Sequence, residues 1–492
     1  MKHLTLVKLL IAANLLLYAY SLWQRQPDVD DAWIGEHAFW LAKNGFVRSD
    51  LMYGITSQET RQIVHHKLFT LNGALFVKTL GFSLLTLKSV SLVWFMGFLV
   101  LFLSYVKRKL GEEASWLALL LITTNAFIFQ YSFVYRPEIM VMTLGFASYI
   151  FMEKYLRGTG SWHQAAMSGA FAALAATAHL NGLIFIAAGL AILLLRWKLK
   201  AILVFGTFSG LFLTLYFYDF TADYNFRFWL HQINDSPALH KSQILPSSLL
   251  FIGKPFNEHL RFFHSPKEIS QSLLLIFLLL INFRTLKQES LLLQYAAALV
   301  VFLSLLAVHT TSKYMLLYLP FIVLIITTSF MDIYRQRASG SPLRWGFTYG
   351  KTYRWSLGLL ALLLATHLFW NFSIAAEKFD PGRNRLLSQK YFGSQTEKLK
   401  VLAPMTFIFD EMGRFGRIQS DLGIAEMQKA GRQLSGKRLL HYADSLKVDY
   451  VLITDEYRSK FGMDTLDANN YSKLGYRIAG AEAGLLVLGR NR

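Results

Sequence analysis

The sequence predicts a polytopic α-helical membrane protein of about eleven transmembrane helices, with amphipathic surface helices in the first outer loop and a small C-terminal α/β domain. Of the 492 residues, 54% are hydrophobic, and the mean hydropathy of +0.35 is too high for an ordinary soluble domain. Eleven apolar segments are each about long enough to cross a bilayer. The connections between them alternate between basic and weakly charged, as loops on opposite sides of a membrane do.

The apolar segments outline a membrane domain over residues 1–372. We place them at residues 4–22, 89–106, 114–131, 138–152, 163–179, 182–195, 201–218, 269–283, 290–308, 314–330 and 355–372. With the N-terminus in the cytoplasm, the basic connections lie inside, and the short outside turns carry only Arg136 and Lys313. No small-residue cleavage site follows the first segment, so we interpret it as a retained span. The predicted location is the plasma (inner) membrane, with outer loops over residues 23–88 and 219–268.

The apolar density drops after the last segment. Residues 373–492 are therefore predicted to form an outer-face (periplasmic) soluble α/β domain. Asp449–Thr454 and Gly484–Gly489 are typical of buried strands, and the patterns around residues 421–433 and 436–446 are typical of helices.

Composition and missing motifs exclude several classes of protein. The net charge of +19 comes from Lys and Arg residues spread between apolar runs, so no nucleic-acid partner is predicted. The absence of cysteine excludes disulfides, zinc–thiolate sites and thiol nucleophiles. The sequence has no Walker motif and no dinucleotide-binding glycine motif, which argues against an ATP-driven pump. The His and Asp residues of loop 219–268 lack close ligand spacing, so no metal site is predicted, and a need for a divalent cation stays open.

Carboxylates gather directly after the first apolar segment. Asp30 and Asp31 open an amphipathic helix that has Trp33, Ile34 and His37 on one face. Burying charge beside lipid is costly, so an acidic pair at this place serves a purpose. Either one of the acids caps the helix, which aspartate does well, or the pair carries out chemistry at the membrane surface. The sequence leaves both interpretations open.

Three other outside segments carry further candidate residues. They are His66 and Lys67 in the first outer loop, Arg136 and Glu138 in the turn before the fourth span, and Lys313 and Tyr314 before a late span. Each has a structural alternative. The first pair could be a solvated face, the second an isolated ion pair, and Lys313 an interfacial anchor. Their common side nevertheless favours one site at the outer surface.

These motifs, in this order and on one side of the membrane, resemble the GT-C superfamily of glycosyltransferases, specifically the dolichyl-phosphate-mannose protein mannosyltransferase and aminoarabinose transferase group. The motifs are Asp30-Asp31 with the helix to Gly45, His65-His66-Lys67 with the helix to Gly81-Phe82, Arg136-Pro137-Glu138, and Lys313-Tyr314 to Pro320. The resemblance covers about residues 1–330. The family often has two prolines after the basic residue of the second motif, whereas Leu68-Phe69 follow Lys67 here.

The resemblance implies a hexosyl- or pentosyltransferase. Such an enzyme moves a sugar from a polyprenyl-phosphate donor to an envelope lipid, glycan or protein, with inversion at the anomeric carbon. It implies Asp30 as the general base, with Asp31 as the close alternative, and Glu138 as the residue that orients the acceptor or assists the base. The implied donor-phosphate ligands are Lys67, Arg136 and Lys313, with His66 and Tyr314 as hydrogen-bond donors.

Two other functions stay open at this stage. A non-enzymatic lipid or glycolipid transporter or flippase would also have many spans. Against it, the sequence shows no internal repeat and no pair of spans broken by Gly or Pro. The third function is that of a non-catalytic assembly protein in an envelope polysaccharide pathway.

Overall fold

The computed structural model describes residues 2–158, 160–235, 250–307, 311–338, 343, 347–377, 382–394, 396–427, 434–463, 468–482 and 484–491. Residues 236–249 of the predicted outer loop 219–268 lie outside these ranges, as do residues 308–310 before Lys313. The helices up to Asn234 are α1 (Lys2–Gln24), α2 (Val29–Asn44), α3 (Lys67–Leu80), α4 (Leu84–Leu110), α5 (Glu112–Thr124), α6 (Ala126–Tyr131), α7 (Glu138–Leu156), α8 (Trp162–Ala178), α9 (Leu183–Leu195), α10 (Leu199–Leu213) and α11 (Phe226–Asn234).

The later helices of the membrane region are α12 (Leu250–Asn257), α13 (His259–Phe262), α14 (Pro266–Ile281), α15 (Phe283–Gln288), α16 (Ser290–Leu306), α17 (Leu319–Gln336) and α18 (Tyr349–Ala375). Within the described residues, five stretches are long and apolar enough to cross a membrane: Thr5–Gln24, Leu84–Leu110, Glu138–Leu156, Leu199–Phe217 and Tyr349–Ala375. The prediction of a helical membrane protein is confirmed. Each of the eleven predicted apolar segments overlaps a helix, while eleven crossings and their orientation stay predictions.

Two predicted segments differ in detail from the helices. The segment 114–131 is divided at Asn125, whose backbone is extended and whose side-chain oxygen accepts hydrogen bonds from the N–H groups of Phe127 and Ile128. This cap ends α5 and begins α6. The segment 314–330 starts as a 3-10 helix over Ser312–Leu317, and α17 begins only at Leu319. Pro320 then lies in the first turn, where its missing N–H costs no hydrogen bond.

The residue that caps α2 is Asp28, whereas the sequence suggested Asp30 or Asp31. Asp28 is the N-cap residue, and its carboxylate accepts the N–H of Asp30 at 3.0 Å. The Asp31 carboxylate accepts the N–H of Asp28 at 2.6 Å, which completes a capping box. At the other end, Gly45 adopts a left-handed backbone with φ of 75° and terminates the helix. The expected surface helix is thus fixed at both ends, and eight of its 16 residues are buried.

The described residues of the C-terminal region form a five-stranded mixed sheet. Its strands are β1 (Lys400–Leu402), β2 (Arg417–Gln419), β3 (Tyr450–Thr454), β4 (Tyr476–Glu482) and β5 (Leu485–Arg490), in the order β2-β1-β3-β5-β4. The first three strands pair in parallel, and β5 pairs antiparallel with β3 and with β4. The helices of this region are α19 (Arg383–Phe392), α20 (Ile408–Glu411), α21 (Leu422–Met427), α22 (Gly436–Ser445), α23 (Asp455–Phe461) and α24 (Ala468–Lys473). The strands predicted near Asp449 and Gly484 are therefore present as β3 and β5.

The sheet region packs on the first outer loop. The Ser420 hydroxyl donates to the carbonyl of Leu51 at 3.2 Å. The Arg417 guanidinium lies 4.0 Å from the ring centre of Tyr53. These contacts join the two regions through the loop that also carries α2 and α3.

A close packing point between α3 and the turn before α7 can be tested. A Cβ atom on Gly73 would overlap the hydroxyl and ring of Tyr135, which is buried. We expect Gly73→Ala to lower the free energy of unfolding in detergent by about 1–3 kcal/mol, because overpacking forces neighbours to move. The control is Gly97→Ala in α4, where the added Cβ meets nothing within 4 Å. Equal stability of the two variants would contradict this packing.

Candidate functional site

Arg136 binds two carboxylates that come from different helices. Its Nη2 atom lies 2.6 Å from Oε1 of Glu138, at the start of α7, and its Nε atom lies 3.0 Å from Oε2. Its Nη1 atom pairs with the carboxylate of Asp30 on α2. The Arg136 and Glu138 side chains are 6% and 2% exposed. The ion pair expected within the Arg-Pro-Glu turn is therefore present, and it extends to Asp30.

The two acids of the predicted pair have different surroundings. Asp31 is buried, and its carboxylate accepts the N–H groups of Asp28 and Tyr135, the latter at 2.5 Å. Burial raises the pKa of Asp31 to about 6, although these two backbone hydrogen bonds oppose the shift. The Asp30 side chain is 21% exposed. Asp30 is thus the acid that a second molecule can reach.

His66, Lys313 and Tyr314 lie around this ionic group. The rings of His66 and His179 stack with 4.6 Å between centroids, and the ring of Tyr314 meets His179 edge-on at 5.8 Å. Burial lowers the pKa of His66 to about 4 and that of His179 to about 3. Burial and the neighbouring Arg136 lower the pKa of Lys313, whereas Glu138 raises it. The imidazoles of His66 and His179 are accordingly neutral near pH 7, although charged side chains such as Glu138 and Lys313 lie beside them.

Lys67 belongs to a second group, which the sequence did not predict. Its Nζ atom lies 2.5 and 2.6 Å from the two oxygens of Asp219, and Nε2 of His65 lies 3.1 Å from the same carboxylate. Burial lowers the pKa of Lys67 to about 8, while Asp219 acts to raise it. Asp219 directly follows a predicted span and opens the outer loop 219–268. That position is the one feature of the sequence that draws attention to Asp219. Its partner Lys67 lies 152 residues away in the sequence.

A cavity of about 220 Å³ has walls from both groups. Its polar lining includes His37, Gln58, Gln62, His65, His66 and His179. Gln232 of α11 closes one side. Its oxygen accepts the N–H of Ile63 at 2.9 Å, and its amide donates to the carbonyl of Arg61 at 2.8 Å. The glutamines were missed because polar residues within a loop look like solvated positions.

In the part of the chain that the structure describes, no group of three His, Asp or Glu side chains is arranged to hold a metal ion.

Solved structures of other proteins identify the fold. No protein-family model and no curated protein matches the chain. Among solved structures, the chain is similar to apo ArnT from Cupriavidus metallidurans, with a TM-score of 0.59, 10% identity, and coverage of 99% of this chain and 98% of that one. For ArnT bound to undecaprenyl phosphate the TM-score is 0.57, with 11% identity and 98% coverage of both chains. For the apo oligosaccharyltransferase of Archaeoglobus fulgidus it is 0.55, with 10% identity, and the match covers 92% of this chain and 71% of that one.

The chain has the GT-C fold. The resemblance predicted from motifs within residues 1–330 is confirmed at the level of fold, and the similarity to ArnT also spans the C-terminal region. Within this fold, one group contains Asp30, Glu138, Arg136, His66, Lys313 and Tyr314. Asp31 turns instead to the backbone of Tyr135, and Lys67 pairs with Asp219.

The buried histidines predict how stability depends on pH. His65, His66 and His179 have pKa values of about 3 to 4 in the folded protein, against 6.5 for an ordinary histidine. Between these values the unfolded chain binds more protons, so the free energy of unfolding should fall as pH drops from about 6.5 to 4. His66→Gln should reduce this slope by up to about 1.4 kcal/mol per pH unit.

Denaturant unfolding in detergent between pH 4.5 and 7 measures that slope. The control is His441→Gln on α22, where the side chain is exposed, and this variant should keep the wild-type slope. An unchanged slope for His66→Gln would contradict the assignment of a neutral, buried His66.

The Lys67–Asp219 pair predicts strong coupling between two distant residues. Lys67→Met leaves the Asp219 carboxylate, 7% exposed, without its ammonium partner. We expect a cost of about 3–5 kcal/mol in the free energy of unfolding, and a smaller cost in the double variant that also carries Asp219→Asn.

A double-mutant cycle measures this coupling. The exposed pair Lys107–Glu112, at 3.6 Å, is the control and should couple by no more than about 1 kcal/mol. If both cycles give the same small coupling energy, the Lys67–Asp219 pair does not stabilise the start of the loop 219–268.

Proposed function

We propose that this protein transfers a sugar from a polyprenyl-phosphate donor to a hydroxyl group of an envelope lipid, glycan or protein at the outer face of the membrane. The observation that carries the proposal is the position of Arg136, between Asp30 and Glu138, beside a cavity whose walls include His66 and His179. The GT-C fold supports it, because one structure with this fold is ArnT bound to undecaprenyl phosphate.

In the proposed reaction, the acceptor oxygen attacks the anomeric carbon and Asp30 takes the hydroxyl proton as general base. The bond between the anomeric carbon and the phosphate oxygen breaks, and polyprenyl phosphate leaves with the electron pair. Attack from the face opposite the leaving group inverts the anomeric carbon. Glu138 orients the acceptor or assists the base.

The leaving phosphate needs fixed positive charge, since negative charge develops there in the transition state. We assign this role to Arg136 and Lys313, with His66 and Tyr314 as hydrogen-bond donors. A phosphate that binds Arg136 competes with Asp30 for the guanidinium and leaves the Asp30 carboxylate available to the acceptor. Asp31 then has a structural role through its backbone hydrogen bonds, and Lys67 holds Asp219 at the start of the outer loop.

The proposal includes a domain arrangement. Residues 1–372 form the membrane glycosyltransferase domain of the inner membrane, and residues 373–492 form the periplasmic domain that meets the acceptor. Contacts of Ser420 and Arg417 with the first outer loop support this, because they bring the sheet region next to the element that carries Asp30.

Replacing the proposed base tests the reaction. Purified protein is given radiolabelled polyprenyl-phosphate sugars and a total envelope extract. We expect Asp30→Asn to lower transfer by about 10²- to 10⁴-fold, as loss of a general base does. The matched control is Asp444→Asn, the same change at an acid that is 50% exposed in the C-terminal region. Its transfer rate should equal that of wild type.

Two outcomes would count against the proposal. Normal transfer by a folded Asp30→Asn variant removes Asp30 from the role of base. Movement of a lipid across liposomes by a wild-type protein that transfers no sugar favours the flippase function.

A further inference from the structure

A groove lies among four helices of the membrane region, away from the site around Arg136. Its walls come from the N-terminal parts of α1, α5 and α18 and from the C-terminal turns of α17. These helix ends adjoin the basic connections that the charge alternation predicts to be cytoplasmic. The groove therefore lies on the predicted cytoplasmic side, at the other end of α1 from Asp30.

The groove is apolar and open on the outside of the helix bundle. Its volume is about 280 Å³. Except for Glu113, every described side chain that lines it is aliphatic, aromatic or that of methionine. The side chains of Leu6 and Leu357 in its walls are 57% and 47% exposed, so the described residues leave it uncovered. In a membrane, such a surface meets lipid chains, and its shape fits one acyl chain laid along the helices.

Two cations lie against the aromatic rings of this groove. The Nζ atom of Lys8 on α1 is 4.8 Å from the ring centre of Trp116 on α5. The guanidinium of Arg337, directly after α17, is 4.0 Å from the ring centre of Tyr334 and 5.9 Å from that of Tyr353. All three rings line the groove. Both cations are exposed, and neither forms a salt bridge within the described part of the chain.

The charge balance at this end of the groove is positive. The exposed carboxylate of Glu113 is the one negative group among the described lining residues. A third cation, Arg335, lies beside the start of α5, where its Nη2 atom donates to the carbonyl of Leu110 at 2.8 Å. Single cations at helix ends also serve as interfacial anchors, but an anchor needs no apolar groove next to it. Basic pockets between transmembrane helices on the cytoplasmic side bind anionic lipid head groups.

We propose that this groove binds one anionic phospholipid of the cytoplasmic leaflet. One acyl chain lies in the groove, and the phosphate of the head group meets Lys8 and Arg337. The lipid contacts the first helix of the chain together with the last two helices of the membrane region, so it stabilises their packing. This inference depends on the membrane location and is independent of the proposed sugar transfer.

Native mass spectrometry of the full-length protein in detergent tests the lipid class. The protein is titrated with phosphatidylglycerol or with phosphatidylcholine that carries the same acyl chains. We expect the first phosphatidylglycerol to bind wild type about tenfold more tightly than the first phosphatidylcholine, because nearby cations attract an anionic head group. Equal affinities for the two lipids would overturn the inference.

A double variant tests the head-group ligands. Lys8→Gln with Arg337→Gln removes both charges and should weaken binding of the first phosphatidylglycerol about tenfold, while phosphatidylcholine binding stays unchanged. The matched control is Arg284→Gln with Lys287→Gln, which removes two exposed cations of α15 on the same predicted side. This control should bind phosphatidylglycerol as wild type does. An equal loss in both double variants indicates general attraction to basic surface and overturns the site.

A second variant tests the acyl-chain part of the groove. Leu357→Trp fills the groove and keeps both cations, so we expect phosphatidylglycerol binding to fall about tenfold. The control is Leu203→Trp on α10, at a side chain that is 71% exposed, and it should bind the lipid as wild type does. Unchanged binding by a folded Leu357→Trp variant overturns the inference. A dimer that forms without lipid and is lost in this variant identifies a second copy as the occupant and also overturns it.

Discussion

The buried guanidinium of Arg136 requires two separate parts of the chain to meet. It pairs with Asp30 from the first outer loop and with Glu138 at the start of α7. A buried charge that loses one partner is strongly destabilising, so the turn before α7 and the N-terminus of α2 must stay together. The hydrogen bond from the N–H of Tyr135 to Asp31 repeats this connection one residue earlier in the turn. The same turn packs against Gly73 of α3.

Charged and uncharged side chains occupy neighbouring but separate parts of this site. Arg136, Asp30 and Glu138 form one ionic group, and Lys67 and Asp219 form another. Neutral imidazoles and amides line the cavity whose walls come from both. Under the proposed function, the charged group around Arg136 meets the phosphate of the donor.

Hydropathy and charge alternation predicted the membrane fold because a bilayer imposes its length and polarity on each span directly. Local rules also explain the deviations, such as the cap at Asn125 and the first-turn position of Pro320. The same local rules allow Asp28 as the helix cap, but the adjacent pair Asp30 and Asp31 drew the prediction instead. The partner of Lys67 could not be predicted, because the pairing with Asp219 is a product of tertiary packing. The cavity glutamines give no sequence signal, since their burial depends on α11 closing over the loop.

The buried Glu36 belongs to a series of hydrogen bonds between the sheet region and the helix that carries Asp30. Glu36 lies on α2, six residues after Asp30, and its carboxylate accepts the Ser49 hydroxyl at 2.6 Å and the N–H of Asp50 at 2.7 Å. These bonds fix the loop that follows α2 onto the helix itself. The next residue of that loop, Leu51, accepts the hydroxyl of Ser420 from the sheet region. An acceptor bound by the C-terminal region would therefore be positioned relative to Asp30 through a short series of buried hydrogen bonds. Because each bond is buried, and a lost buried partner costs about 1–3 kcal/mol, little relative motion is expected along this path.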